Sequence, residues 1–195
     1  LDEQGFNVYG VIDYRKQDTI WAKDRKVSRR GGVIPELNMS IGSGSGFPAN
    51  LQSSTLGIVN PYINQNCNNA PNMFISGSRC LLNTQALIGI TPDEETFSAL
   101  AKGTFKLTDS LNAVAEYIYT ESEVTTSIAP DVWAGTLSIP DTSKYYPGQG
   151  ITPGIAGLTD TRVPLFLRSQ SGNRVSQSVN ESNRFFAGVE GEVLG

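Results

Sequence analysis

Four segments of the chain alternate apolar and polar residues with a period of two, which is typical of β-strands that have one oily and one wet face. In the first, near residues 6–16, Phe6 and Val8 share one face while Asn7 and Asp13 share the other. The other three segments lie near 97–107, 111–120 and 184–194. The pattern predicts an all-β fold of antiparallel strands.

Short and long connections alternate between these strands. Thr108, Asp109 and Ser110 join the second strand to the third, as the turn of a β-hairpin does. Residues 17–96 and 121–183 form connections far longer than those usual in compact domains, and they are rich in Gly, Ser, Asn and Pro. Because neighbouring strands run in opposite directions, both long connections leave from the same end of the strands. This asymmetry is typical of outer-membrane barrels, which have short periplasmic turns and long extracellular loops.

The wet faces of the strands carry charged residues. Lys102, Glu116, Glu190 and Glu192 are opposite in parity to the apolar residues of their strands. If the oily faces meet lipid, these four side chains point toward the lumen of a barrel, where water solvates them. We therefore expect residues 1–195 to be part of one transmembrane β-barrel domain, with the two long connections as its extracellular loops.

Composition removes several classes of function. The 195 residues carry a net charge of -4 and include no His, and the sequence pI is about 4.9. An acidic chain lacks the basic surface typical of nucleic-acid binding, and without His neither a Ser-His nor a Cys-His catalytic pair can form. Two Cys residues are too few for a zinc site built from four thiolates. We expect no enzymatic activity, no cofactor, no metal site and no nucleic-acid partner.

The two cysteines form a candidate disulfide. Cys67 and Cys80 lie in a stretch rich in Asn, Pro, Gly and Ser. If this stretch faces an oxidising exterior, a bridge between them would stabilise the folded chain by about 3 kcal/mol. A structural role for the pair is favoured over a redox or metal-binding role.

Several segments together resemble a known family of membrane proteins. The strand-turn-strand segment 96–117 resembles a barrel hairpin of TonB-dependent outer-membrane receptors, and segment 183–191 is similar to a returning strand of their larger members. Asn60, Pro61 and Tyr62, with the nearby Cys pair, resemble their surface loops. Members have a 22-stranded barrel, an N-terminal plug and a short box that contacts TonB. No plug or box is recognisable in this sequence, so the resemblance implies a middle section of such a barrel.

The resemblance also implies a location, partners and a role. It places the chain in a bacterial outer membrane, in contact with lipid and lipopolysaccharide, and connects it to the TonB system through parts of the receptor outside this sequence. The implied role is energised uptake of a scarce solute, with ferric siderophores and oligosaccharides as the first two substrate classes to consider.

Two sets of loop residues are candidates for ligand binding. Arg29 and Arg30 belong to a basic run that could neutralise lipopolysaccharide phosphates or attract an anionic ferric chelate, or could be a solvated strand extension. Trp133, Tyr145 and Tyr146 could stack on sugar rings or anchor a ligand, or could pack within the loops.

A soluble, secreted, all-β ligand-binding module of the sandwich type is the alternative. In a sandwich the oily strand faces pack against each other. This alternative predicts that a second sheet shields Phe6, Val8 and Phe105 from solvent.

Overall fold

The computed structural model describes residues 5–29, 32–68 and 70–191, which form two compact units. We call residues 5–19, 91–126 and 176–191 the sheet unit, and Ile20–Ile90 with Ser127–Val175 the loop unit. The strands are β1 (Phe6–Gln17), β2 (Ile20–Trp21), β3 (Gly32–Ile34), β4 (Met39–Ile41), β5 (Asn50–Ser53), β6 (Gly57–Val59), β7 (Met73–Ser76), β8 (Arg79–Leu82), β9 (Gly89–Thr91), β10 (Asp93–Lys106), β11 (Leu111–Ile128), β12 (Val132–Pro140), β13 (Arg162–Arg168) and β14 (Arg174–Gly191).

Helical structure in the described part of the chain consists of single 3-10 turns. They span Ala22–Asp24, Pro35–Leu37, Ile63–Gln65 and Thr84–Ala86. Among the residues that the structure describes, no helix has the length and apolar character needed to cross a membrane.

The sheet unit is one four-stranded sheet with the order β1-β10-β11-β14. β1 and β11 each pair antiparallel with β10. Phe6 lies opposite Phe105 at one end of the sheet, and Tyr14 lies opposite Phe97 nearer the other end. Gln17 pairs with Glu94 and Thr125 pairs with Asp93, so the end of β1 and the last paired residue of β11 lie at the same end of the sheet.

The all-β prediction is confirmed, whereas the described strands do not close into a barrel. β1 and β14 are the two edges of the sheet in the part of the chain that the structure describes. Three strands also run further than their alternation predicts: β10 begins at Asp93, β11 ends at Ile128 and β14 begins at Arg174. Both faces of these extensions carry polar residues, so backbone pairing continues where the contrast between oily and wet positions has ended.

The long connections contain a folded unit with its own core. In the loop unit, β12, β13, β5 and β6 form a second four-stranded sheet in that order. Shorter two-stranded pairs join β2 to β9, β3 to β4 and β7 to β8. The buried cluster beside the four-stranded sheet consists of Leu51, Val59, Tyr146, Val163 and Leu165. Aliphatic burial of this kind is the main favourable term in folding.

A buried amide joins β5 to β8. The Asn50 amide nitrogen donates to the backbone oxygens of Gly44, at 2.6 Å, and Cys80, at 2.7 Å. Its side-chain oxygen accepts from the Cys80 backbone N–H and from the Asn60 amide nitrogen, each at 3.0 Å. Asn50 is fully buried, so these hydrogen bonds replace the water it loses on folding.

The predicted disulfide is confirmed. The Cys67 and Cys80 sulfurs are 2.01 Å apart, and both residues are buried. The bridge links the turn that follows the 3-10 turn Ile63–Gln65 to β8, beside the Asn50 amide.

Replacing both cysteines with Ala should destabilise this part of the loop unit by about 3 kcal/mol, because the unfolded chain loses a cross-link. Hydrogen–deuterium exchange of the backbone amides of β5, β6 and β8 measures the change. Wild-type protein treated with a reductant is the matched control and should show the same faster exchange. Unchanged protection in both samples would contradict a stabilising role for the bridge.

A carboxylate joins the turn after β5 to the segment before β13. Asp160 accepts hydrogen bonds from the Ser53 hydroxyl, at 2.6 Å, and from the Ser54 backbone N–H, at 3.0 Å, as well as from the Ser54 hydroxyl. These bonds, with Ser53 the largest contributor, lower the pKa of Asp160. The buried Tyr146 hydroxyl donates to the Asp160 backbone oxygen, and burial raises the pKa of that tyrosine.

Asp160→Asn should lower the thermal midpoint of the loop unit at pH 7. Because the folded-state pKa of Asp160 lies below its unfolded value, its stabilising effect is complete above the unfolded pKa of about 3.9 and is lost as the pH falls through the folded pKa. The difference between variant and wild type should therefore shrink below about pH 4. Thermal unfolding from pH 7 to pH 2.5 measures it, with the exposed Asp24→Asn as control. A pH-independent difference would contradict this account.

Candidate functional site

One face of the sheet unit is apolar and exposed, and we call it the apolar face. On β1 it carries Phe6, Val8 and Ile12, and on β14 it carries Phe185 and Val189. Ile12 is 74% exposed and Phe185 is 72% exposed. The bonds from Tyr117 and Tyr119 of β11 to Asn183 and Glu181 of β14 put the odd-numbered residues of β14 on the same side of the sheet as Phe6. Between the two edge strands this side carries mainly small residues of β10 and β11, namely Ala99, Ala101, Gly103, Ala113 and Ala115.

Aromatic residues mark both ends of the apolar face. At the end near the short turn, the rings of Phe6 and Phe105 stack with centroids 6.3 Å apart. At the other end, Phe97 and Tyr119 lie 6.2 Å apart, and Tyr14 is the register partner of Phe97. Since Phe6 and Tyr14 are eight residues apart on one strand, the apolar face is about 26 Å long in the strand direction.

Three tyrosines of this face bond to polar side chains through their hydroxyls. Tyr14 lies at the second end, whereas Tyr119 and Tyr117 lie level with Ile12 and Gly10, two and four residues nearer the first end. We call Tyr14, Tyr117 and Tyr119 the tyrosine row. The Tyr14 hydroxyl donates to Glu95, the Tyr117 hydroxyl to Asn183, and the Tyr119 hydroxyl to both Glu121 and Glu181. Each ring thus has its apolar body beside the apolar face and its polar tip beside acidic or amide groups, the geometry that suits tyrosine to a boundary between apolar and aqueous surroundings.

The opposite face of the sheet is more polar. Lys102 and Glu116 lie there as direct register partners, both half-buried, and strand alternation places Glu190 on the same side. Glu192, the fourth residue expected to face a lumen, lies outside the described residues. This face also carries apolar and aromatic side chains, among them Val11, Leu100, Val114 and Ile118, and strand alternation places the exposed Tyr9 and Phe186 there too.

The loop unit contains a cleft of about 490 Å³, which we call the loop cleft. The buried Leu51 and Leu165 line it, and so do the exposed Phe47, Tyr145 and Ile151. The remaining lining residues are Pro48, Ala49, Pro61, Tyr62, Ile139, Thr152 and Leu167. The cleft therefore has an apolar floor, continuous with the core of the unit, and apolar side chains at its mouth.

Local hydrogen bonds fix one wall of the loop cleft. The Thr152 hydroxyl donates to the Tyr145 backbone oxygen at 2.8 Å, and the Ile151 N–H donates to the Lys144 backbone oxygen at 3.1 Å. The Lys144 ammonium lies over the Tyr145 ring, 5.1 Å from its centroid, as in a cation–π contact. These bonds hold Tyr145 and Ile151 in place at the mouth.

A smaller cavity of about 210 Å³ lies beside Arg168. The Arg168 guanidinium donates to the backbone oxygens of Ser45 and Pro130 and to the Ser43 hydroxyl, and burial lowers the pKa of this side chain. Arg168 thus links three segments of the loop unit through neutral acceptors, which indicates a structural role.

The sequence-predicted ligand residues lie in different places. Tyr145 lines the loop cleft and is 52% exposed, whereas the adjacent Tyr146 is buried in the core. Trp133 is an exposed residue of β12, and Arg29 lies in an exposed turn. Arg30 lies outside the described residues. Of the predicted set, the structure brings only Tyr145 to the cleft.

The other cleft residues were missed because they come from segments remote in sequence. Phe47, Ile151 and Leu165 have no shared periodicity, and only the folding of the loop unit brings them together. In the ranges 5–29, 32–68 and 70–191, no three acidic or cysteine side chains converge to hold a metal ion. Comparisons of this chain with protein-family models, with curated proteins and with solved structures find no match.

Proposed function

We propose that this chain is a section of an outer-membrane TonB-dependent receptor that supports energised uptake of a scarce solute in a bacterial outer membrane. The observation that carries the proposal is the exposed apolar face bounded by aromatic residues at both ends. The resemblance of segment 96–117 to a barrel hairpin of that family supports the same conclusion.

The apolar face has the chemistry of a surface that contacts lipid, and its height is about four-fifths of the apolar band of a barrel. Outer-membrane barrels have an apolar band about 25 Å tall between girdles of aromatic residues. The 26 Å between Phe6 and Tyr14 would span about 20 Å of bilayer at the roughly 40° tilt of barrel strands. Tyr14 then lies at the outer boundary and Tyr119 close to it, where their hydroxyls meet polar groups, while Tyr117 lies nearer the middle of the band.

The two edge strands require partners in a membrane. β1 and β14 each have one side without a strand partner in the described sheet, and every unpaired backbone group in lipid costs several kcal/mol. Further strands of the same receptor would satisfy these groups and close the barrel. In that barrel Lys102, Glu116 and Glu190 face the lumen, and the plug and the contact with TonB belong to other parts of the receptor.

The residues of the loop unit would form the extracellular loops of the receptor. They belong to the two connections that leave one end of the sheet, and a disulfide is expected to persist in an oxidising exterior. On that side Arg29 and Arg30 could contact lipopolysaccharide phosphates.

A soluble secreted ligand-binding module is the second candidate. The separate core and disulfide of the loop unit favour it. Against it, the sandwich form predicts shielded strand faces, whereas Phe6 is 39%, Val8 61% and Phe105 49% exposed. Soluble monomers rarely expose contiguous apolar patches larger than a few hundred Å², so the receptor is favoured.

Lysine substitutions at two adjacent residues of β1 test the proposal. Ile12 lies on the apolar face, while Val11 lies on the opposite face, and both are exposed. In a lipid-facing strand, Ile12→Lys should cost on the order of 2 kcal/mol, whereas Val11→Lys should change the stability little because its ammonium reaches water in the lumen. The measurement is urea unfolding, in lipid vesicles, of the full-length protein that contains this chain, together with the yield of each variant in the outer-membrane fraction. Equal effects of the two variants would favour the soluble module.

A further inference from the structure

The loop cleft has the size and shape of a small-molecule site. Its volume of about 490 Å³ falls within the roughly 300 to 1,000 Å³ that such sites occupy. The floor is built from core residues, Leu51 and Leu165, and the backbone of the Tyr145 wall is held by the Thr152 hydroxyl and the Ile151 N–H. The floor and the backbone of this wall are therefore in place before a ligand arrives, which reduces the conformational entropy that binding must overcome.

The lining of the loop cleft selects against charge. None of its side chains carries a charge near pH 7. The nearest cation described above, the Lys144 ammonium, is engaged over the Tyr145 ring and is not part of the lining. An ionised ligand would lose its hydration in this cleft without gaining a charged partner, so an anionic ferric chelate is disfavoured.

The lining also selects against a sugar. Its polar side-chain atoms are the hydroxyls of Tyr62, Tyr145 and Thr152, and the Thr152 hydroxyl already donates to the Tyr145 backbone oxygen. A saccharide brings many hydroxyls, and each one buried without a partner costs about 1 to 3 kcal/mol. The remaining lining is aliphatic or aromatic, or is proline, and such surfaces bind apolar groups.

We propose that the loop cleft binds an uncharged, mainly apolar small molecule, with Tyr145 and Ile151 at its mouth. The role of this site in uptake rests on the proposed function, because it makes the bound molecule the solute that the receptor captures. Binding itself is a property of the loop unit and does not require that function.

A matched pair of fluorescent probes tests the proposal on the full-length protein that contains this chain, in lipid nanodiscs. N-phenylnaphthylamine is uncharged, and anilinonaphthalene sulfonate has the same rings with an added sulfonate. We expect saturable binding of one uncharged probe per chain, with an affinity higher than that of the sulfonate by on the order of tenfold. A maltohexaose competitor should leave the signal unchanged.

A charged substitution at the mouth of the cleft distinguishes probe that binds in the cleft from probe that dissolves in the lipid. Ile151 is 57% exposed, so Ile151→Glu should leave the fold intact while weakening binding of the uncharged probe by on the order of tenfold. Ile90→Glu is the matched control, since Ile90 is an exposed residue of the same unit outside the cleft, and it should bind like wild type. Thermal unfolding of both variants verifies their folding.

Three results would overturn the proposal. They are no saturable binding of the uncharged probe, equal loss of binding in both variants, and displacement of the probe by maltohexaose. Failure of the receptor proposal is seen separately, as equal effects of Ile12→Lys and Val11→Lys. Cleft binding that persists alongside that result would assign the site to a soluble module.

Discussion

The sheet unit has one apolar face that the described chain leaves exposed. The constraint on which the rest depends is that something else must keep this face out of water. Long strands paired in register must present alternate residues to opposite sides, so the side chains of Val8, Ile12, Phe185 and Val189 all emerge together. In water such a surface is unfavourable in proportion to its area. In a bilayer the same surface would need no cover, and the cost would move to the outer sides of β1 and β14, beyond which the described sheet has no further strand.

Along the strands, the apolar face changes from apolar to charged residues beyond Tyr14. Beyond the rings lie Glu95, Glu121 and Glu181, and the Lys16 ammonium contacts the Glu95 carboxylate at 2.5 Å. Charged groups at this end require water, while the apolar residues between Tyr14 and Phe6 do not. If the apolar face contacts lipid as proposed, the same strands would pass from lipid into water at this end.

The alternation of apolar and polar residues in the sequence predicts the part of the sheet that has an apolar face. It does not predict the polar ends of β10, β11 and β14. Around Phe6 and Ile12 the two faces differ in polarity, so the period of two is visible; near Glu94 and Glu121 both faces are polar, and the signal ends although pairing continues. The spacing and setting of Cys67 and Cys80 were sufficient to predict their bridge.

The strands of the loop unit could not be predicted from sequence patterns, for a different reason. β5 and β6 have only four and three residues, too few to show a period, and tertiary contacts hold them in place. Tyr145 and Tyr146 look alike in sequence, but one lines the mouth of the loop cleft and the other is a core residue bonded to Asp160. Only the folded chain distinguishes them.

Contact between the apolar face and lipid is the central claim, and spin-label accessibility tests it most directly. Both native cysteines are in the disulfide, so single labels can be placed at residues 7 to 12 of β1. If the claim is correct, labels at 8, 10 and 12 are relaxed mainly by oxygen, which concentrates in lipid, while those at 7, 9 and 11 are relaxed mainly by a water-soluble nickel chelate. Relaxation of all six labels mainly by the chelate would contradict it.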